Sequence, residues 1–172
     1  MRWILIVVGL LVASVIVIVA VGAMLPRDHV ASTSARIAAQ PPDVYRAVTD
    51  VESFPSWRAV SKVERLDSVD GHRRWREVSR FGPITFEEVE ARAPELLVSR
   101  IVDTDQGFGG TWTWEITPED GGSNVRITEH GYVSNPAFRF LSRFVFGFHG
   151  TQEEYLKALG RKFGGDVTPV RG

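Results

Sequence analysis

Residues 3–25 carry no charged side chain and are built mainly from Val, Ile, Leu and Ala. As a helix rising about 1.5 Å per residue, the run reaches roughly 34 Å, enough to cross the hydrocarbon core of a bilayer. It exceeds the roughly 7–15 apolar residues of a secretory signal and so predicts a retained transmembrane anchor. A signal peptide cleaved after the small residues Val21-Gly22-Ala23 is the alternative. Trp3 and Arg27 suit the two membrane interfaces. The α-amine and Arg2 stand on one side, with Arg27, partly offset by Asp28, and then Arg36 on the other. The positive-inside rule then predicts a single-pass protein with a cytoplasmic N-terminus and the remaining chain outside the cytoplasm.

After Pro26 the pattern changes. Residues 29–38 alternate loosely and are rich in Ser, Thr and Val, which predicts a first strand. Gln40-Pro41-Pro42-Asp43 opens a helix with proline in its first turn, and Val44, Val48 and Val51 share one face. A short second helix carries Phe54 and Trp57. From residue 59 the period drops to two, with strands expected near 60–69, 72–81, 84–92, 95–103, 111–118 and 123–133. Asp70-Gly71, Gly82-Pro83, Pro94-Glu95, the Gly-rich stretch 106–110 and Asp120-Gly121-Gly122 punctuate them. Connections this short favour antiparallel neighbours. Asn135-Pro136 starts a long helix on which Phe138, Leu141, Val145, Phe148, Tyr155, Leu159 and Phe163 make one apolar face, with Gly147 and Gly150 as places for a kink. Gly164-Gly165 ends it.

The expected organisation is an anchor over 1–25, one globular domain over 26–165 and a flexible tail over 166–172. The domain is α+β, with a seven-stranded curved antiparallel sheet, two short helices after the first strand, and a long C-terminal helix. An apolar helix and a curved sheet bury each other by packing face to face, and a sheet wrapped around a helix leaves a cavity between them.

Composition narrows the chemistry. The 172 residues hold about one domain. With no Cys there is no thiol nucleophile, disulfide framework or Cys-ligated metal, and a net charge of -1 excludes a polycation for nucleic acid. His29, His72, His130 and His149 show no metal-ligand spacing, and no Gly-x-Ser-x-Gly elbow occurs. Neither a metal site, a cofactor nor a Ser hydrolase is expected.

The stretch Ala39-Gln40-Pro41-Pro42-Asp43-Val44-Tyr45-Arg46-Ala47-Val48-Thr49-Asp50, running on through Phe54-Pro55-Ser56-Trp57, resembles the opening helices of the START/Bet v 1-like (SRPBCC) superfamily. Its polyketide cyclase/dehydrase-like branch is the nearest in pattern. Gly110-Thr111-Trp112-Thr113-Trp114-Glu115-Ile116 and Gly122-Ser123-Asn124-Val125-Arg126-Ile127-Thr128-Glu129 are similar to that branch's last hairpin. Tyr155-Leu156-Lys157-Ala158-Leu159 resembles the end of its C-terminal helix. The resemblance spans about residues 29–164. It implies a helix-grip fold with a deep apolar cavity for lipids, polyketides or other hydrophobic molecules, in a family of carriers, sensors and a minority of enzymes. No catalytic motif of the family carries over residue by residue.

Period two places Trp112, Trp114 and Ile116 on one face, and Val125, Ile127 and Glu129 on one face of the next strand. The expected ligand lining is Trp57, Trp75, Phe86, Trp112, Trp114, Ile127, Glu129, Phe138, Leu141, Val145 and Phe148. Glu129 is either wet or paired with an arginine such as Arg100, or it is a general base or an anchor for a ligand hydroxyl. Arg74, Arg76 and Arg80 share a solvent face with Val78, offset by Glu87, Glu88 and Glu90. Ile84, Phe86, Glu88 and Glu90 disagree with Val89 and Ala91 about which side is buried, a conflict that an unplaced β-bulge would resolve. Phe138, Phe140, Phe144, Phe146 and Phe148 exceed what one helical stripe buries. Phe140 and Phe146 are therefore expected on its flanks, forming with the 106–110 loop a cavity mouth that faces the bilayer. The functional expectation is a membrane-anchored binder of a small hydrophobic molecule. Its rivals are a cyclase or dehydratase using Glu129, and an interaction module that docks on a membrane partner through the Phe-rich helix.

Overall fold

The computed structural model describes residues 2–80, 82–103 and 106–172. Helix α1 (Arg2–Met24) is followed by β1 (Asp28–Ile37), α2 (Pro41–Thr49) and a 3-10 turn (Val51–Ser56). The meander comprises β2 (Lys62–Val69), β3 (His72–Ser79), β4 (Gly82–Arg92), β5 (Leu96–Ile101), β6 (Phe108–Glu119) and β7 (Gly122–Val133). Helices α3 (Pro136–Leu141) and α4 (Gly150–Lys162) and a short β8 (Val170–Arg171) complete the chain. Among the described residues the strands form one sheet in the order β2-β3-β4-β5-β6-β7-β1-β8, with every neighbouring pair antiparallel.

The fold is the expected helix-grip arrangement, with eight strands in place of seven. The extra strand lies in the segment expected as a flexible tail, where Val170 and Arg171 pair with Ser34 and Thr33 of β1. Two residues are too few to show a period. Phe81, the last residue expected in the second of the six later strands, lies outside the described residues. The 106–110 stretch, expected as a gating loop, is largely strand: Phe108, Gly109 and Gly110 pair with Val133, Tyr132 and Gly131.

The parity conflict in β4 has a structural answer. Glu88 pairs with Ser99 while Glu90 pairs with Val98, so Val89 is the bulged residue. Before it Phe86 and Glu88 face the same way as Trp75; after it Ala91 takes the inward place opposite Leu97. One inserted residue switches every later side chain to the other face. Glu88 therefore leaves the outer ladder in which it was expected and pairs with Arg73 on the inner face.

On the outer face, Glu87 is covered by two guanidinium groups. Arg74 Nε donates to Oε2 at 2.6 Å, and Arg100 donates to Oε1 through Nη2 at 2.6 Å and Nε at 2.9 Å. The hydrogen bond from Arg74 leads in holding its carboxyl below the ordinary value of 4.5, burial opposes it, and Arg100 adds to the lowering. A lowered folded-state value means the contribution is complete above the unfolded glutamate's value and is lost as pH falls through the folded one. Parent and Glu87→Gln chains should therefore differ in thermal stability at neutral pH, and the gap should close under acid. A pH-independent gap in melting scans would contradict this.

The long C-terminal helix expected from the sequence is broken. Asn135 Oδ1 accepts from the N–H groups of Ala137 and Phe138, capping α3, and a π-turn over Ser142–Phe146 follows. Gly147 then stops the helix at φ 72°, a region that favours glycine. Only α4 packs on the sheet. Helix α3 turns away onto the last turn of α1, where a Cβ at Gly22 would lie 1.9 Å from the Pro136 carbonyl oxygen. Arg139 Nη1 donates to the Leu25 carbonyl at 2.8 Å, and Arg27 Nη2 to Ser134 Oγ at 3.0 Å. Gly22→Val should force α3 off α1, because the obstacle is backbone. Tryptic cleavage after Arg139 should accelerate, whereas an unchanged cleavage rate would show that α3 tolerates the branch.

The core lies between the concave sheet face, α2 and α4. Val44 and Val48 of α2 and Leu156 and Leu159 of α4 meet Ile37, Leu97, Ile116, Val125 and Ile127 of the sheet. The Pro41-Pro42 start fixes the first turn of α2 and sets this face inward.

Candidate functional site

The inward-facing residues of β4, β5 and β6 follow from the cross-strand register: Phe86 opposite Ile101, Ser99 opposite Trp112, and Leu97 opposite Trp114. Above them α4 presents Tyr155, and the 3-10 turn presents Phe54 followed by Trp57. Tyr155 is the hub: its ring lies 5.5 Å from Trp57, 5.8 Å from Trp114 and 6.3 Å from Trp112. Trp75 stacks on Phe86 at 5.6 Å. Leu97, Trp114 and Ile127 are buried, whereas Trp57, Ile84, Phe86, Ile101 and Trp112 remain half-buried. The concave face is thus packed tight towards β7 and β1, and left as a trough with an aromatic floor towards β4.

A charged pair sits at the wall of this trough. Glu77, on the inward face of β3, accepts from Trp75 Nε1 at 2.9 Å and from Arg58 Nη1 at 3.3 Å, while Arg58 Nη2 reaches its other oxygen at 3.2 Å. The Arg58 guanidinium carbon stands 4.5 Å from the ring centres of both Phe54 and Tyr155. A planar cation stacked on two rings and held by a bidentate carboxylate is a fixed hydrogen-bonding group facing apolar space. Sequence reading placed neither Arg58 nor Glu77 here. Trp75 and Glu77 share parity on one strand, the only local signal available.

Ser99 Oγ and Gln152 Oε1 are buried on this face without a partner, and the buried Trp114 indole N–H faces the Tyr155 hydroxyl. Burial drives the Tyr155 hydroxyl strongly above its ordinary value of 10.0, with Arg58 opposing and Glu77 reinforcing, so it is a neutral donor and acceptor. Gln152 spends its amide nitrogen on the Ala31 carbonyl at 3.0 Å.

Glu129 lies inward, as its parity predicts, but its partner is not Arg100, which is engaged by Glu87. His29 Nε2 stands 3.4 Å from Glu129 Oε1, and the His29 ring stacks on Phe148 at 3.9 Å. Gly131 makes room for the pair, since a Cβ there would lie 2.5 Å from the His29 ring. Of the expected lining, Trp57, Trp75, Phe86 and Trp112 line the trough, Trp114 and Ile127 are buried in the core beside it, and Glu129 and Phe148 sit at its α3 end. Phe138, Leu141 and Val145 do not belong to it: α3 and the π-turn leave the sheet, and Phe138 and Val145 are 60% and 61% exposed. Two open depressions, of about 540 and 380 Å³, lie elsewhere around Arg36 and Thr168 and touch none of these residues. Among the described residues, no three His, Asp or Glu side chains converge as a metal site requires.

A curved antiparallel sheet gripping a C-terminal helix, with an aromatic concave face, defines the helix-grip class of ligand-binding and cyclase-type proteins. The chain belongs to the polyketide cyclase/dehydrase and lipid transport family, whose pattern residues 28–164 match. A Thermus thermophilus protein of known structure is 23% identical at a TM-score of 0.65, over 78% of this chain and 97% of its own. Norcoclaurine synthase from Thalictrum flavum is 12% identical at a TM-score of 0.62, over 79% of this chain and 94% of its own. The di-domain aromatase/cyclase StfQ of steffimycin biosynthesis is 14% identical at a TM-score of 0.61; 80% of this chain is covered, spanning half of StfQ. These likenesses establish the fold. No curated protein matches the chain.

Proposed function

We propose that this chain is a membrane-anchored protein that holds a small hydrophobic molecule on the concave face between α4 and β3–β6. The observation that carries the reading is the row of half-buried aromatic rings at Trp57, Phe86 and Trp112 on the concave face, beside the Arg58–Glu77 pair and the buried, unpartnered Ser99 hydroxyl. Burying a hydroxyl without a partner costs free energy, and an apolar ligand bearing a few oxygen atoms supplies the missing partner. Apolar burial gives affinity, while Tyr155 and the Arg58–Glu77 pair fix orientation. Helix α1, with a mean hydropathy of 3.4 and none of its apolar window buried, is the anchor. The charge distribution around it favours a cytoplasmic N-terminus with the domain outside.

The test is native mass spectrometry of the full chain released from detergent micelles, with organic extraction of any bound molecule. A stoichiometric lipophilic adduct supports the reading; a chain that arrives empty and binds no member of a lipid and aromatic panel overturns it. Against a bound panel member, Tyr155→Phe should weaken affinity by roughly threefold to tenfold.

The enzyme reading, a cyclase or dehydratase, rests on Glu129 beside His29 at the end of the trough. There Glu129→Gln should abolish turnover and leave affinity almost unchanged, whereas a binder shows no turnover to lose.

A further inference from the structure

The segment between β7 and α4 holds the domain's densest group of exposed apolar side chains among the described residues. Phe138, Phe144, Val145 and Phe146 are 60%, 60%, 61% and 69% exposed within nine residues. A water-soluble surface rarely gathers such a patch without a partner. Its position in the fold identifies the partner. Helix α3 is fastened to α1 through the Gly22–Pro136 backbone contact and the Arg139–Leu25 hydrogen bond, two residues from the end of the apolar helix at Met24. At about 1.5 Å per residue, that contact lies roughly 3 Å inside the end of the span.

We infer that α3 and the π-turn form a second membrane contact, an interfacial segment whose phenylalanines enter the acyl boundary of the leaflet into which α1 ends. This rests on α1 being the anchor. The occupant of the patch is lipid, because α3, which leads into it, packs against the C-terminal end of the apolar helix α1. Phe138, Phe144, Val145 and Phe146 occupy the boundary, and the exposed Arg143 meets phosphate headgroups. Gly147 then turns the chain out of the interface, so that Phe148 returns to His29 beside Glu129. The α3 end of the aromatic trough is thereby held against the membrane, and a hydrophobic molecule passes between leaflet and trough without crossing bulk water.

The chain has no Cys, so one substitution gives one labelled site. Full-length Val145→Cys and Ile16→Cys, each carrying an environment-sensitive fluorophore, are reconstituted into phosphatidylcholine/phosphatidylglycerol vesicles. Each is then challenged with a lipid bearing a spin-label quencher near the headgroup end of its acyl chain, with one bearing it near the chain's end, and with aqueous iodide. The label at 145 is expected to lose most of its emission to the shallow lipid quencher and little to iodide; the label at 16 should lose its emission to the deeper lipid quencher. Iodide quenching at 145 with lipid quenching at 16 overturns the interfacial segment and leaves the anchor standing. Iodide quenching at both sites overturns the anchor and the segment together. Resistance of 145 to every quencher means a second copy covers the patch, which also overturns the proposal. As a second readout, Phe144→Ser with Phe146→Ser should restore iodide access at 145 while leaving position 16 unchanged.

Discussion

Replacing Glu77 by Ala is expected to destabilise the domain by about 3–5 kcal/mol, the usual cost of removing one member of a buried ion pair. Both side chains are largely covered, at 18% and 10% exposure for Arg58 and Glu77. The change strands the Arg58 guanidinium between the Phe54 and Tyr155 rings and leaves the Trp75 indole N–H without its acceptor. Glu77→Gln should cost less, since the amide oxygen still accepts from Trp75. Replacing both partners, Arg58→Met with Glu77→Leu, should recover most of the loss, because it deletes the charges as well as their attraction. Ligand orientation would then be lost while stability is kept. Denaturant titration of the full chain in detergent measures all three. A cost below about 1 kcal/mol for Glu77→Ala would mean that Arg58 swings out to water and the pair behaves as an exposed one.

Trp114→Ala is the second large effect, expected at about 3–5 kcal/mol for truncating a buried aromatic side chain. Trp114 is 6% exposed and packs against Trp112 at 5.6 Å and Tyr155 at 5.8 Å. Its loss opens a void beneath α4 at the centre of the core. Trp114→Phe should be milder: it gives up some volume and the indole N–H that faces the Tyr155 hydroxyl, but keeps an aromatic ring in the core. The same denaturant titration separates the two. Comparable losses for Ala and Phe would mean that the N–H, through the Tyr155 hydroxyl, matters as much as the ring volume.

The sheet was legible because its strands alternate and its turns are spelled in Gly, Asp and Pro. The inward set Trp112, Trp114 and Ile127 followed from parity alone. Where the pattern misled, a single residue intervened. Val89 shifts the register within β4, so no fixed alternation describes both halves of that strand. Gly147 has a positive φ, and a helical wheel continued through it joins α3 and α4, which pack on different partners. Phe138, Leu141 and Val145 were assigned to the trough for that reason. The polar part of the site was illegible for another reason. Arg58 meets Glu77 across 19 positions, and Glu129 meets His29 across 100, so no spacing rule connects them. An isolated charge in a strand reads as solvated until the chain's path brings its partner to it.

The pairing of Val170 and Arg171 with β1 has a consequence for how the chain behaves in company. A strand with unpaired N–H and C=O groups is a template for another chain, and even a short flap blunts it. Gly172 adds its N–H to the Ser32 carbonyl at 2.9 Å, and Arg171 Nε is tied to Glu153 of α4 at 2.7 Å. The flap is thus latched by its last two residues over the middle of β1. Shortening the chain to residue 169 removes that latch and frees the edge at Ser32, Thr33 and Ser34, where a strand of a neighbouring molecule can add side by side.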